Sequence, residues 1–125
     1  GMTGGQMAPT TLAQQVTTTC PFGRDVAIVG YPIRIAELLS SLVTPAYIER
    51  VAVHIPQRII QAKLAIRKAF TYQKDNRCFS LIEVLSNCPT NWGKTPTESI
   101  DWVEKEMVPY YPLRCFKDPG QSEAF

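Results

Sequence analysis

No stretch of the 125-residue sequence approaches the ~20 consecutive apolar residues of a membrane span. Nor does a charged segment lead into an apolar run and a small-residue cleavage site, the pattern of a secretory leader. The expected setting is therefore cytoplasmic, with no membrane partner. A dominant charge is also lacking: thirteen Lys and Arg against eleven Asp and Glu leave +2, far from the basicity of nucleic-acid binders, which argues against nucleic acid as a partner. Metal-binding motifs are missing too. Cys20, Cys78, Cys88 and Cys115 stand 58, 10 and 27 positions apart, so no C-x-x-C pair is available for zinc or an iron–sulfur cluster. Their expected state is that of reduced, idle or buried thiols, as suits the cytosol.

What is present is enough for one modest α/β domain and too little for two: 45 % of the residues are apolar. Residues 1–30, rich in Gly, Thr, Gln and Pro, hold no sustained periodicity and read as a long loop, in which "DVAIVG" suggests a short strand. Loops of such length in compact domains are usually functional or disordered. Residues 31–108 carry a helix–strand–helix–strand–helix pattern. "YPIRIAELLSSLV" spaces Ile35, Leu38, Leu39 and Leu42 as a helix with Pro32 in its first turn. "RVAVHI" is a strand that feeds a helix over "QRIIQAKLAIRKAFTYQ", whose expected buried stripe is Ile59, Ala62, Ile66 and Ala69 or Phe70. "CFSLIEVL" alternates little, as a strand covered on both faces does. "TPTESIDWVEKEM" opens with Thr95 as N-cap, Pro96 at the first helical position and Glu98 two further on, a capping box ahead of the stripe Ile100, Val103 and Met107. Residues 109–125 are broken by proline and read as a tail extended over solvent or a partner.

This order is that of an α/β fold with parallel strands, but two strands do not make a complete sheet. The expectation is a single incomplete domain whose remaining strands lie elsewhere.

The opening "GMTGGQMAPTT" is one Gln short of a common epitope tag, MTGGQQM. Taken with "GYPIRIAELL", "VAVHIP" and "FSLIEVLSNCPTNWGKTPTESIDWVEKEMVPYYPL", however, it resembles the β subunit of 2-oxoacid:ferredoxin oxidoreductases over nearly the whole chain. A tag explains the first stretch and not "CPTNWG". The resemblance implies the C-terminal part of a doubly wound thiamine-diphosphate-binding fold. It places Gly1, Met2, Thr3, Gly4, Gly5 and Gln6 beside the cofactor's diphosphate, where Gly4 and Gly5 allow close backbone approach and Thr3 and Gln6 add hydrogen bonds. Met2, where pyruvate-type relatives often carry Asn, and the run from Pro89 to Trp92 fit members acting on 2-oxoglutarate or branched-chain 2-oxoacids.

The family's Gly-Asp-Gly, which with a later Asn holds magnesium and diphosphate, does not occur here. Mg²⁺ seeks carboxylate and phosphate oxygens in octahedral array, so the expectation is a β-subunit portion that binds neither ion nor cofactor alone, unless Asp25 or Glu83 replaces the missing ligand. The implied partners are the other subunits and ferredoxin, in an oligomer. The implied activity of the intact enzyme is oxidative decarboxylation of a 2-oxoacid to acyl-CoA. The rival reading is a non-enzymatic subunit-interaction or homo-oligomeric α/β module.

Four groups of residues carry both a functional and a plainer reading. His54, the lone histidine, ends a strand where α/β sheets hold ligands, yet has no nearby carboxylate in sequence and fits a hydrogen-bonded strand-end residue. Arg24 is a candidate contact for an anion or a neighbouring subunit, and Asp25 a candidate cap. Asn91 and Trp92 follow the second strand, with Trp92 read as a core or interface residue or as a pocket wall. Arg58, Lys63, Arg67, Lys68, Lys74 and Arg77 form a solvated helix face or an electrostatic dock for an acidic ferredoxin.

Overall fold

The computed structural model describes residues 7–120. Two short helices, α1 (Val26–Val29) and α2 (Ile35–Ser40), precede strand β1 (Ala46–Ala52). Helix α3 (Pro56–Lys74) carries the chain to β2 (Phe79–Leu85), followed by α4 (Pro89–Trp92) and α5 (Pro96–Trp102). A π turn over Val103–Met107, helix α6 (Val108–Tyr110) and strand β3 (Arg114–Lys117) complete the order. The sheet runs β2-β1-β3, with β1 parallel to β2 and antiparallel to β3. It is an α/β fold with a small mixed sheet and flanking helices, as the strand–helix–strand pattern implies.

β1 is buried along nearly its whole length because both of its faces are covered. Side chains of a strand alternate between faces, which assigns Tyr47, Glu49 and Val51 to one side and Ala46, Ile48, Arg50 and Ala52 to the other. Val51 meets Ala62 and Ala65 of α3, and Tyr47 packs edge-on against Tyr72 at 5.4 Å between ring centroids. On the opposite face Ala46 and Ile48 join Ala36 of α2, whereas Ala52 joins Leu85, Val103, Met107 and Tyr111.

Between these two clusters, at the centre of the sheet, sits the charged side chain of Arg50, 0 % exposed. Its Nε donates to Glu83 Oε2 at 2.8 Å, from the residue directly across the parallel ladder. Nη1 and Nη2 fork onto the Glu37 carboxylate at 3.0 and 2.5 Å, and Nη1 also reaches the Pro112 carbonyl. The guanidinium lies 4.9 Å from the Phe116 ring and 5.2 Å from that of Tyr111. One side chain thus ties α2, β2 and the approach to β3 onto β1. A buried charge is tolerable only when its donors are satisfied in this way.

Several local expectations change. "DVAIVG" is helical: Asp25 accepts from Ala27 N–H, and Gly30 at φ 76° ends the turn. α2 starts later than its sequence spacing suggests, because the Ile33 N–H bonds to Pro9 O, outside any helix; Pro32 therefore precedes the first turn, and Leu38 and Leu42 are exposed. In α3 the buried residues are Ala62, Ala65 and Tyr72, and Phe70 is 70 % exposed. Two small alanines let the helix lie close on Val51, and this contact sets which face turns inward. β2 is an edge strand among the described residues, half-exposed through most of its length, with Phe79 and Val84 open. The stretch after Pro112 is extended, and its cover is the free edge of β1, which it pairs as β3.

The last helix begins as expected. Thr95 Oγ accepts from Glu98 N–H, the Glu98 carboxylate accepts from Thr95 N–H, and Val103 and Met107 are buried. The π turn has a local cause. Pro109 has no N–H, and in a regular helix its ring would clash with the carbonyl of Lys105, so the turn widens just before it, with Val108 N–H reaching back to Val103 O.

Two predictions follow from this frame. Thr95→Ala should lower unfolding free energy in urea by about 1 kcal/mol, and a change below about 0.3 kcal/mol would contradict the cap. Arg50→Ala should cost about 3–5 kcal/mol, because it strands two carboxylates. Burial alone would raise the Glu37 carboxyl, but the hydrogen bond and charge of Arg50, with Glu37's own amide, hold it below its usual value. Its contribution is therefore present above about pH 4.3, the ordinary glutamate pKa, and is lost as pH falls through the depressed folded value. Glu37→Gln should flatten that part of an acid titration followed by circular dichroism.

Candidate functional site

The two parallel strands end side by side: Ala52 is in register with Leu85, and Val53 N–H continues the ladder to Leu85 O at 3.1 Å. Open α/β sheets hold ligands beyond this carboxyl edge. A cleft of about 70 Å³ lies at the end of β2, walled by Ala8, Thr10, Thr11 and Gln15 on one side and by Ser86, Cys88, Asn91, Trp92 and Met107 on the other. It brings together "APTT" and "CPTNW", two stretches some 80 positions apart in sequence.

The walls are fastened to each other. Thr18 Oγ donates to Asn91 Oδ1 at 2.6 Å, and Thr18 N–H donates to the Asn91 carbonyl at 2.8 Å. Asn87 Nδ2 donates to the buried Ser99 hydroxyl, itself bonded to Pro96 O, which holds the loop after β2 against α5. Gly93, at φ 61°, takes the left-handed conformation that closes α4 behind Trp92. Trp92 packs against the Ala52–Leu85–Tyr111 cluster, in keeping with the core reading, and also lines the cleft.

Arg24 holds the N-terminal wall. It is buried, and among the described residues every hydrogen-bond partner of its guanidinium is a carbonyl: Gly30 through Nε, Ala8, Pro9 and Thr11 through Nη1, Val29 and Tyr31 through Nη2, at 2.9–3.4 Å. The preceding Gly23 has φ 80°, and a Cβ there would lie 2.8 Å from Gln14 O, so only glycine lets the chain deliver Arg24 here. The Tyr111 hydroxyl donates to Thr10 O at 3.1 Å, and burial pushes the Tyr111 phenol well above its ordinary range, keeping it a donor. The sequence held one clue to this hub, the "FGRD" turn; it held none to the carbonyls that converge on it.

His54 is buried at the end of β1. Its Nε2 lies 2.5 Å from Glu104 Oε2, a partner fifty positions away on the π turn, and its buried Nδ1 has no partner among the described residues. The strand-end reading holds, with the carboxylate supplied by tertiary structure. Asp25 caps α1 and Glu83 is engaged by Arg50. No group of three or more His, Cys, Asp or Glu among the described residues is arranged to hold a metal ion. In the basic set, Lys68 pairs with Asp118 over the rings of Tyr47 and Tyr72, and Arg77 covers Tyr72, so these two pack against the protein. The candidate cofactor-binding residues Gly1, Met2, Thr3, Gly4, Gly5 and Gln6 lie outside the described residues. No helix among the described residues is long and apolar enough to cross a membrane.

The ketoisovalerate oxidoreductase subunit VorA of Methanothermobacter thermautotrophicus is 46 % identical over 118 residues, which cover 94 % of this chain and 25 % of VorA. The chain is homologous to part of the subunits of the 2-oxoacid:ferredoxin oxidoreductase family. The 2-oxoglutarate synthase subunit KorB of Archaeoglobus fulgidus is 34 % identical over 107 residues, covering 86 % of the chain and 36 % of KorB. KorB of Methanocaldococcus jannaschii is 33 % identical over 128 residues, 98 % of the chain and 42 % of its own length. The chain therefore spans between a quarter and about two-fifths of these oxidoreductase subunits. No protein-family model matches it, and no solved structure does.

The clasp between the cleft walls is testable. Asn91→Ala and Thr18→Ala should each cost about 0.5–1.5 kcal/mol in chemical denaturation, and the double variant should cost less than both together, because the two residues share one bond. Strict additivity would mean that the bond is not formed.

Proposed function

We propose that the chain is part of the β subunit of a 2-oxoacid:ferredoxin oxidoreductase and builds one side of its substrate and cofactor site. The intact enzyme, on this reading, carries out thiamine-dependent oxidative decarboxylation of a branched-chain 2-oxoacid or 2-oxoglutarate, yielding acyl-CoA with electrons to ferredoxin, in the cytoplasm. The observation that carries the reading is the convergence of "APTT" and "CPTNW" on one cleft at the carboxyl edge of a parallel strand pair. The 46 % identity to a ketoisovalerate oxidoreductase subunit favours the branched-chain substrate.

We infer that the described residues supply only part of a thiamine diphosphate site, and two observations support this. The cleft, at about 70 Å³, is several times smaller than the ~300–1,000 Å³ that cofactor-sized ligands occupy, and no acidic cluster is in place for Mg²⁺. Their role on this reading is to shape and hold one wall, with the remainder supplied by other parts of the enzyme. A second reading, a non-enzymatic interaction module, draws on the apolar surface of α3 and β2, where Ile60, Leu64, Phe70 and Phe79 are open to solvent. On the enzymatic reading the same surface meets the rest of the oxidoreductase.

Titration calorimetry of this chain with Mg²⁺ and thiamine diphosphate should give no binding tighter than about 0.1 mM. A dissociation constant of about 1–10 μM, weakened by Thr3→Ala or Gln6→Ala, would overturn the view that the chain supplies only one wall.

A further inference from the structure

Four consecutive carbonyls of the cleft wall are bonded away from the cleft. Ala8 O accepts from Thr11 N–H and Arg24, Pro9 O from Ile33 N–H and Arg24, Thr10 O from the Tyr111 hydroxyl, and Thr11 O from Arg24. With its backbone acceptors so engaged, this segment leaves the hydroxyl-bearing side chains of Thr10 and Thr11 to line the cleft. Arg24 adds a second bias. A guanidinium keeps its charge at any working pH, and this one is buried against carbonyl dipoles alone, with no carboxylate bonded to it among the described residues. Arg50, the other buried arginine, has two carboxylates. Inside a protein an unneutralised charge acts over longer distances than in water, and Arg24 lies directly behind the wall.

We propose that Arg24 is a positioning residue that makes this cleft selective for an anionic group, by drawing the carbonyls of residues 8–11 away from the cleft and by leaving its own charge unneutralised behind them. The cleft has room for one carboxylate or one phosphoryl group. That chemistry is common to a 2-oxoacid and to a cofactor diphosphate, so the probes must separate the two. The inference rests on the proposed function only for the location of the site; it needs neither thiamine nor turnover.

The test is an NMR titration of the chain with inorganic pyrophosphate and, separately, with ketoisovalerate, read at the amides of Thr10, Thr11, Asn91 and Trp92. Saturable shifts at these amides by at least one probe are expected, and the probe that produces them identifies the source of the anion. Arg24→Lys keeps the charge and loses most of the carbonyl bonds; Arg24→Gln loses both. Affinity should fall by about threefold in the lysine variant, which keeps only the charge, and by about tenfold or more in the glutamine variant, which keeps neither. A purely structural role would weaken both alike, and that result would overturn the proposal. If neither variant folds, the wild-type titration decides: saturable shifts at these amides that weaken steeply with added KCl support an anion site, and their absence rejects it. Failure of pyrophosphate and ketoisovalerate to bind would sink this inference and leave the family assignment standing. Anion binding with no thiamine-dependent turnover in the intact enzyme would do the reverse.

Discussion

The fold is organised around a charge placed where the pattern of β1 calls for an apolar side chain. Arg50 occupies the same face as Ala46, Ile48 and Ala52, and without it the two clusters on that face would merge into one core. Its guanidinium instead separates them and satisfies its donors on three elements at once. Such a triad is a poor source of net stability, since an apolar replacement of similar shape can do as well. What it does supply is uniqueness. Glu37, Glu83 and the Pro112 carbonyl reach it together only if α2, β2 and the approach to β3 are each correctly placed.

The second buried arginine works by the opposite arrangement. Arg50 is given carboxylates and fixes a scaffold; Arg24 is given carbonyls and fixes a loop. A loop running under a domain must settle its backbone acceptors somewhere, and a planar cation with five donors collects many of them at one point. The 8–11 segment is then held without regular secondary structure, and its remaining polar groups are left for whatever occupies the cleft. Tyr111 joins the two systems, since its ring lies over Arg50 and its hydroxyl holds the loop at Thr10.

The second strand, the long helix and the capping box were legible in the sequence because each is specified locally, by a short apolar β-type run, by helix formers behind Pro56, and by Thr95-Pro96 with Glu98. The first strand, expected over "RVAVHI", lies at Ala46–Ala52 because Ile55 caps α3 instead. The α3 stripe was legible only in part: Ala62 was read correctly, but periodicity does not distinguish a small residue that permits close approach from a large one that seeks cover. β3 was missed because its reason for forming is the open edge of β1, which no window of sequence contains. Arg24 and Arg50 were missed as centres for the same reason. A buried arginine looks like any other until its partners, 13 and 33 positions away for the carboxylates of Arg50, are brought to it. "APTT" and "CPTNW" were both noticed, but that they face each other is a fact of the fold.

The position of the cleft follows from the register of the parallel pair. Pairing Arg50 with Glu83 sets Ala52 against Leu85, so that both strands end at one level and the loop after β2 turns directly over the carboxyl edge of the sheet. A slip of one residue would send Glu83 to the α3 side, leave Arg50 half-paired, and carry Ser86, Cys88 and Asn91 about 3.3 Å along the sheet, away from the wall that Arg24 holds. Thr18 could not then reach Asn91, since both of their bonds demand contact distance. The same ion pair that separates the core clusters thereby determines where the cleft lies, which ties its geometry to a residue that does not line it.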